Sequence, residues 1–425
     1  MHRRLLLGLA ATIALTGACS GGSDSTPAAE TTLAPAVRET APTTEVPATA
    51  VPTTAAPTTA ASTTTTAAPT TTADLAAIAN TYAETGPYPV GVATVALPEG
   101  NPVEIWYPAA KPATGTISYD VRDYTPEAIK ALLTANIPAT FTIAADRDST
   151  AADGTFPVAI YSHGFSGINV GSSFLTAHLA SWGVVVAAPE HPARDLAAAT
   201  GGTINQDPQV SIDDILRTIE LIKFAAPTPL AGHVNTDHIV LIGHSAGGGT
   251  VLGAAAQSGD VDAYVSLASG AFGRRDDTTS TTAAPPALPS MPSLFVAGRN
   301  DAVVPWDSVT EVAYEAAPSP SRLWVIDGVG HNGFDDFCTF GDGTGIIGIA
   351  EASGLGAFLD AQPTFRTLGE DGCKPPNVPV AEAWPIVRHV VTAFVLEQSG
   401  LAEATAALDV SLADFYTPAV VAAEK

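Results

Sequence analysis

Apolar residues in this chain are grouped into runs that predict β-strands. The eight runs are rich in β-branched and aromatic side chains and cover residues 89–97, 103–109, 156–164, 182–190, 238–245, 262–270, 292–301 and 321–331. The later runs are continuously apolar rather than alternating, which is the pattern of parallel strands that are buried on both faces.

Helical periodicity separates these runs. Residues 172–182, 211–224 and 384–398 each place apolar side chains on one helical face. Ser211, with Asp214 three residues later, has the spacing of a capping box and predicts where the second of these helices begins. Strands that alternate with helices predict an α/β protein with a mostly parallel, eight-stranded sheet flanked by helices.

Residues 1–18 have the pattern of an export signal. A short basic start precedes an apolar run from Leu5 to Leu15, and this run is shorter than the roughly 20 residues that cross a bilayer. Cys19 follows three small residues and resembles the cysteine of a bacterial lipobox, which is lipidated and becomes the mature N-terminus. We therefore expect an extracellular lipoprotein anchored to the outer face of a bacterial cell membrane, with simple secretion as the alternative.

Residues 19–73 predict a stalk rather than a domain. They consist mostly of Ser, Thr, Pro, Ala and Gly, and such a composition buries too little apolar area to offset an ordering entropy of roughly 1–2 kcal/mol per residue. The remaining residues, 74–425, are within the size range of a single α/β catalytic domain.

The charge of residues 74–425 limits the partners of this domain. These residues carry 39 of the 43 acidic and 15 of the 18 basic side chains, a net charge of −24. A surface this acidic repels nucleic acid and anionic lipid. We expect no nucleic-acid partner, and contact with a membrane only through the N-terminal anchor.

Residues 240–250, VLIGHSAGGGT, carry the first chemical signal. An apolar run stops at Gly243, a G-x-S-x-G pentapeptide follows with Ser245 at its centre, and a helix-compatible stretch begins at Thr250. A serine in a sharp turn between strand and helix is typical of a nucleophile, whereas an unreactive glycine-rich turn is the alternative. The choice depends on whether the chain supplies a base, an acid and an oxyanion hole.

His331 and Asp301 are the best candidates for the base and the acid. Of the nine histidines, only His331 lies at the end of the last predicted strand, and Asp301 ends the preceding one. The resulting order Ser, acid, His is the one expected of such a sheet, although a turn cap is the structural alternative for Asp301. Asp335 and Asp336 follow His331 too closely to orient it. The alternative acids are Asp276 and Asp277.

The segment YSHGFSG, residues 161–167, predicts part of an oxyanion hole. A tetrahedral intermediate needs preorganised N–H donors. The amide of Phe165 is the expected donor, because Gly164 and Gly167 let the backbone approach the substrate. The amide of Ala246, directly after the nucleophile, is the expected second donor. An ordinary glycine turn is the alternative for this segment.

Six segments together resemble one protein superfamily. VEIWYPA, YSHGF, LASWGVVVAAPEHP, GHSAGGG, GRNDAVVP and GVGHNGF occur in this order between residues 88 and 399. They resemble the α/β-hydrolase superfamily, in particular its dienelactone-hydrolase-like and platelet-activating-factor-acetylhydrolase-like branch, with bacterial cutinase-type polyesterases as near relatives. The resemblance implies an α/β-hydrolase fold. It also implies the same roles for these residues: Ser245 as nucleophile, Asp301 as acid, His331 as base, and Phe165 and Ala246 as oxyanion donors.

Two positions depart from these relatives. A serine at position 245 does not support the cysteine-dependent chemistry of dienelactone hydrolases. Ala246 stands where polyester-degrading relatives often carry methionine, which argues against hydrolysis of polymers.

The substrate pocket is less clearly encoded. Only a short Thr/Ala/Pro stretch separates the runs 262–270 and 292–301, so we expect no large lid. The glycine-rich segment 334–376 is the alternative wall of the site. Three aromatic side chains are predicted to bind substrate, with core packing as an equally good account of each: Phe165, Trp306 and Phe334.

The three cysteines are consistent with export. If Cys19 carries lipid, Cys338 and Cys373 remain as a pair, and we expect a disulfide between them. On the chain-entropy model such a closure contributes roughly 3–4 kcal/mol. Two buried free thiols are the alternative.

These features predict an exported serine hydrolase that cleaves carboxylic esters of small or medium size through an acyl-enzyme, with a small-molecule or lipid-like ester as substrate. No H-E-x-x-H motif or clustered His and Asp spacing indicates a metal, and we expect no cofactor. A lipase or cutinase-like polyesterase is one alternative. A non-catalytic binding lipoprotein is another, disfavoured because suitable side chains occupy all three triad positions.

Overall fold

One central sheet contains all eight predicted strands. A computed structural model describes residues 72–270 and 287–425. Its strands are β1 Val90–Ala96, β2 Pro102–Pro108, β3 Ile117–Asp120, β4 Thr140–Ile143, β5 Asp146–Arg147, β6 Phe156–Ser162, β7 Val185–Pro189, β8 Val234–His244, β9 Ala263–Leu267, β10 Ser293–Gly298, β11 Ser321–Ile326 and β12 Val420–Glu424. The order in the central sheet is β12-β11-β10-β9-β8-β6-β7-β2-β1-β5, and β3 pairs with β4 separately.

The sheet has ten strands, so the predicted number of eight is corrected. The two additional strands lie at the edges: β5 pairs with β1, and β12 pairs with β11 in antiparallel orientation. A two-residue strand has no detectable periodicity, and β12 follows the last predicted helix in a segment where we expected no strand. From β7 to β11 every neighbouring pair is parallel, which explains the continuous apolar runs.

Helices cover both faces of the sheet. They are α1 Thr72–Ile78, α2 Glu127–Lys130, α3 Ser173–Ser181, α4 Leu196–Gly201, α5 Pro208–Ala225, α6 Ala246–Gln257, α7 Glu311–Ala316, α8 Phe340–Gly343, α9 Gly345–Ala352, α10 Gly356–Ala361, α11 Pro363–Glu370 and α12 Val380–Gln398. Within the described ranges, no helix combines the length and the apolar character needed to span a membrane.

Two apolar layers hold these helices to the sheet. One layer joins α3 and α12 to the sheet through residues such as Leu175 and Val390. The other joins α5 and α6 through residues such as Ile215 and Val251. Neighbouring residues of β8 alternate between the layers, so that each buried strand contributes to both.

Helix α5 begins one turn earlier than the capping box predicts. Asp207 is the N-cap, its side chain accepts a hydrogen bond from the Gln209 amide at 3.0 Å, and Pro208 occupies the first turn. Ser211 lies inside the helix, so its predicted role as the cap is wrong. Asp214 is buried, and its contacts are described below.

A helical cap occupies the segment between β11 and α12. The four short helices α8 to α11 lie there, and a disulfide joins Cys338 to Cys373, with the two Cα atoms 4.9 Å apart. The structure therefore has the predicted disulfide and not two free thiols. The cap belongs to segment 334–376, the alternative wall of the site, and its residues line the cavity described below. Most of the stretch where we expected no lid, residues 271–286, lies outside the described residues. Glycines with positive φ, among them Gly343, Gly345 and Gly354, interrupt the cap helices, which leaves no long helical periodicity in the sequence.

Several predictions from sequence fall outside the described residues. These are the signal peptide 1–18, the lipidation site Cys19, the stalk up to residue 71, and the alternative acids Asp276 and Asp277.

Candidate active site

Ser245 lies in a strained turn between β8 and α6. Its φ of 54° and ψ of −122° are unusual for a residue with a side chain. A Cβ on Gly243 would lie 2.2 Å from the Gly247 carbonyl oxygen, and a Cβ on Gly247 would lie 2.0 Å from that of Ser162. Only glycine fits at either position, so the G-x-S-x-G spacing is a steric requirement of this turn.

The three predicted triad side chains meet at the carboxyl edge of the sheet. Ser245 Oγ lies 2.9 Å from His331 Nε2, and His331 Nδ1 lies 2.8 Å from Asp301 Oδ2. An ionised carboxylate only accepts hydrogen bonds, so the Nδ1–H of His331 donates to Asp301, and Nε2 is left to accept from the Ser245 hydroxyl. This arrangement is the one that proton transfer from serine to histidine requires.

Backbone amides fix the Asp301 carboxylate. Its Oδ1 accepts hydrogen bonds from the amides of Val303 at 2.9 Å and Val304 at 2.6 Å. The Asp301 side chain therefore also caps the turn, which was the structural alternative to a catalytic role. The second oxygen remains directed at His331, so the two roles are compatible.

Asp371, at the end of the cap, joins the acid loop to the histidine loop. Its Oδ2 accepts from the amide of Ala302 at 2.9 Å and from the amide of His331 at 3.1 Å. Its backbone carbonyl accepts from the Asn332 amide at 2.9 Å. Sequence reasoning missed this residue, because nothing near position 371 resembles a motif and the contact depends on how the cap folds back.

Asp335 and Asp336 are buried beside the site, but neither carboxylate is hydrogen-bonded to the ring of His331, whose partners are Asp301 and Ser245. Asp336 accepts hydrogen bonds from Ser173 at the start of α3, at 2.6 Å from both its amide and its hydroxyl, and burial raises the pKa of Asp336 to about 6. Asp335 Oδ2 lies 3.6 Å from His244 Nδ1. Burial raises the pKa of Asp335 well above its usual range and lowers that of His244 well below it.

The segment around Phe165 lies directly against the nucleophile. A Cβ on Gly164 would lie 3.1 Å from the Cβ of Ser245, and Ser166 adopts a φ of 59°. Ala246 is the first residue of α6, where amides have no intrahelical acceptor. The backbone of both predicted donor segments is therefore close to Ser245.

An apolar cavity opens above Ser245 and His331. The cap supplies much of its wall, and Phe165 is a further lining residue. The Phe165 ring lies 6.3 Å from that of Phe365, which is 6.3 Å from Phe358. The cap residues that line the cavity are Ile346, Ile347, Ala350, Leu355, Phe358, Leu359, Phe365, Leu368 and Gly369.

Two of the three predicted pocket aromatics do not line this cavity. Trp306 is half-buried against the second apolar layer, and the guanidinium of Arg299 lies 4.9 Å from its ring. Phe334 is fully buried in the first apolar layer, 6.2 Å from the ring of His244. The prediction is therefore corrected to Phe165 alone, because an aromatic residue type does not distinguish a core position from a pocket wall.

Comparisons with known proteins agree with this architecture. A family model described as Chlorophyllase matches residues 119–276. Among solved structures, ferulic acid esterase from Streptomyces cinnamoneus matches with a TM-score of 0.54 and 21% identity, over 73% of this chain and 90% of that one. The chain has the fold of an α/β-hydrolase. No curated protein matches this α/β-hydrolase.

The two matches support a hydrolase that acts on esters. The family-model match includes Ser245 and ends before Asp301 and His331. Within the described residues of this α/β-hydrolase, no three His, Cys, Asp or Glu side chains are grouped so as to hold a metal ion.

Proposed function

We propose that this α/β-hydrolase cleaves carboxylic esters through an acyl-enzyme on Ser245. The observation that carries the proposal is the Ser245–His331–Asp301 chain of hydrogen bonds, at 2.9 and 2.8 Å, on the floor of an apolar cavity. The ester-hydrolase matches support the same reaction class.

The proposed reaction assigns a role to each of these residues. His331 Nε2 takes the proton of Ser245 as Oγ bonds to the ester carbonyl carbon, and Asp301 stabilises the imidazolium that forms. The amides of Phe165 and Ala246 stabilise the oxyanion. The C–O bond to the alcohol then breaks and His331 returns the proton to the departing oxygen. A water molecule, deprotonated by His331, hydrolyses the acyl-enzyme in the same way.

The cavity favours a substrate with an apolar group of limited size. Isoleucine, leucine and phenylalanine side chains of the cap form its wall, and burial of apolar surface contributes about 25 cal/mol per Å² to binding. A substrate must therefore enter a cavity that is lined by the cap. We therefore favour a soluble ester over a polymer as the substrate. This makes the cutinase-like alternative less favoured than it was from the sequence alone.

The first experiment is hydrolysis of p-nitrophenyl acetate, butyrate, octanoate and palmitate by residues 69–425. Ser245→Ala should reduce kcat by about 10⁴-fold or more. The matched control is Ser258→Ala, at the opposite end of α6, which should retain full activity. A maximum at butyrate or octanoate indicates an esterase, and a maximum at palmitate a lipase.

A binding protein without activity would give a different result. The parent would hydrolyse none of the four esters and would resist labelling by a fluorophosphonate. That combination contradicts the proposed function and favours the non-catalytic alternative.

We also propose export and lipid anchoring through Cys19. The disulfide between Cys338 and Cys373 supports an oxidising compartment. Metabolic labelling of the full chain with a fatty-acid analogue should mark the parent and not Cys19→Ser. An unlabelled parent in the culture medium would instead support simple secretion.

A further inference from the structure

A second Ser–His–Asp array lies beneath the Phe165 segment. Ser162 ends β6, His191 follows β7, and Asp214 belongs to α5. Ser162 Oγ lies 2.9 Å from His191 Nε2, and His191 Nδ1 lies 2.9 Å from Asp214 Oδ2. All three side chains are buried, with exposures of 0%, 0% and 1%.

Arg194 fixes the direction of every hydrogen bond in this array. Its Nη2 donates to Ser162 Oγ at 3.0 Å. The Ser162 hydroxyl is then free to donate to His191 Nε2, and the Nδ1–H of His191 donates to Asp214. The hydrogen bonds therefore run in one direction, from the Arg194 guanidinium to the Asp214 carboxylate. Each of the four side chains is hydrogen-bonded with His191 neutral and Asp214 ionised.

The second array is not a second nucleophile site. The Ser162 oxygen is fully buried and already bonded to both Arg194 and His191. Burial, with the nearby charge of Arg194, lowers the pKa of His191 well below its usual range, so this ring is a poor acceptor for a proton. The role of this array is therefore structural rather than nucleophilic.

The array is tied to the turn that carries Phe165. Arg194 Nη2 also donates to the His163 carbonyl at 2.6 Å, and the Arg194 carbonyl accepts from the Ser166 amide at 2.8 Å. The Leu196 amide donates to the Gly167 carbonyl at 2.9 Å. Both ends of the turn are thus held by one segment, 191–196, which the array anchors.

We propose that Arg194, with Ser162, His191 and Asp214, positions the backbone of residues 163–167 so that the Phe165 amide faces the oxyanion formed at Ser245. The inference rests on the proposed function, because it assigns a task within that reaction. Arg194 and its partners are positioning residues: none of them touches the substrate.

The experiment compares Arg194→Met with Arg217→Met at pH 8. Methionine keeps the apolar part of the Arg194 side chain and removes its bonds to Ser162 Oγ and to the His163 carbonyl, while the backbone bond to the Ser166 amide remains. Arg217 is the matched control, since it lies on α5, near Asp214, and its ion pair with Glu99 at 3.1 Å is on the surface. For each variant, kcat and KM for p-nitrophenyl butyrate and the melting temperature are measured.

Loss of the Phe165 amide from the oxyanion hole should appear in kcat. Arg194→Met should lower kcat about 100-fold with KM within about threefold, because an oxyanion donor acts on the transition state. Arg217→Met should keep the parent kcat. A folded Arg194→Met enzyme with a kcat within threefold of the parent would overturn the inference, even if its melting temperature fell.

Two further variants apply if Arg194→Met does not fold. Ser162→Ala removes one hydroxyl and leaves the bond from Arg194 to His163, and it should lower kcat about tenfold. Arg194→Lys keeps a cation without the planar guanidinium fork and should lower kcat several-fold. Unchanged kcat in both variants would reject the inference. Equal activity of the parent and Ser245→Ala would instead reject the proposed function itself, and the inference with it.

Discussion

The protein holds two Ser–His–Asp arrays with nearly identical spacing and opposite surroundings. The hydrogen bonds measure 2.9 and 2.8 Å around His331, and 2.9 and 2.9 Å around His191. Ser245 faces a cavity, whereas Ser162 is sealed inside the protein and bonded to Arg194. Distances between side chains therefore do not identify a nucleophile. A nucleophile is identified by access to a cavity and by a serine oxygen that has an unoccupied hydrogen-bonding direction.

The two arrays also differ in what supports them. Asp371 holds the amides of Ala302 and His331 and so joins the acid and histidine loops. Asn101 and Arg194 support the buried array, with Asn101 donating to Asp214 Oδ1 at 2.9 Å. Asp371 thus aligns the two loops of the catalytic triad. Asn101 and Arg194 instead keep the Asp214 carboxylate and the Ser162 hydroxyl hydrogen-bonded in the interior.

The largest expected effect comes from exchanging each histidine for glutamine. His331→Gln should lower kcat about 10⁴-fold, because the general base is lost, and should change the melting temperature little. His191→Gln should lower the melting temperature by several degrees and kcat about tenfold. Steady-state kinetics and thermal unfolding of both variants test this. If both variants lost activity equally and kept full stability, the two arrays would not differ as described.

A smaller effect is expected at Asp371. Asp371→Ala should lower kcat about tenfold to a hundredfold, since misplacement of the triad by a fraction of an ångström weakens catalysis. Asp371→Asn should retain most activity, because the amide oxygen still accepts both hydrogen bonds. Glu370→Ala is the control. The Glu370 carboxylate forms ion pairs with Arg366 and Lys374, neither of which belongs to the triad. Equal kcat in all three variants would show that Asp371 supports nothing in the reaction.

The smallest effect is a pH dependence of stability that belongs to the buried array. Burial raises the pKa of Asp214 to about 7, opposed by the charges of Arg194 and Arg217. A carboxyl group with a raised native pKa binds more protons in the native than in the unfolded state between about pH 4 and 7, so its contribution to stability falls as pH rises through that window.

Asp214→Asn should remove this contribution. The free energy of unfolding should fall more between pH 5 and pH 8 for the parent than for the variant, by about 1–2 kcal/mol. Urea unfolding at the two pH values measures it. The buried carboxyl groups of Asp335 and Asp336 are present in both proteins and cancel in the comparison. An identical pH dependence would contradict the raised pKa.

The positions of Ser245, Asp301 and His331 could be predicted because each follows a strand. Parallel strands bring their carboxyl ends to one edge of a sheet, so residues far apart in sequence meet there. Gly243 and Gly247 are required by contacts below 2.5 Å, and this requirement is what makes the pentapeptide recognisable.

The second array and the helices of the cap could not be predicted in the same way. His191 follows a strand as His331 does, and only its surroundings in three dimensions separate the two. Asp214 has the spacing of a cap partner and is instead a buried acceptor for His191. Trp306 and Phe334 were assigned to the pocket on residue type, although packing decides where an aromatic ring lies. Short cap helices separated by glycines have too few residues to show a period.

The closure of the cap at its base makes it a separable module. Cys338 and Cys373 bring the two ends of the segment to within 4.9 Å between Cα atoms, so the intervening chain leaves and re-enters the fold at almost the same point. A loop of different length can be joined across such a gap at a cost that grows only slowly with length. The segment is therefore a natural site for grafting, provided that a foreign cap keeps Phe340 and Ile349, which belong to the first apolar layer.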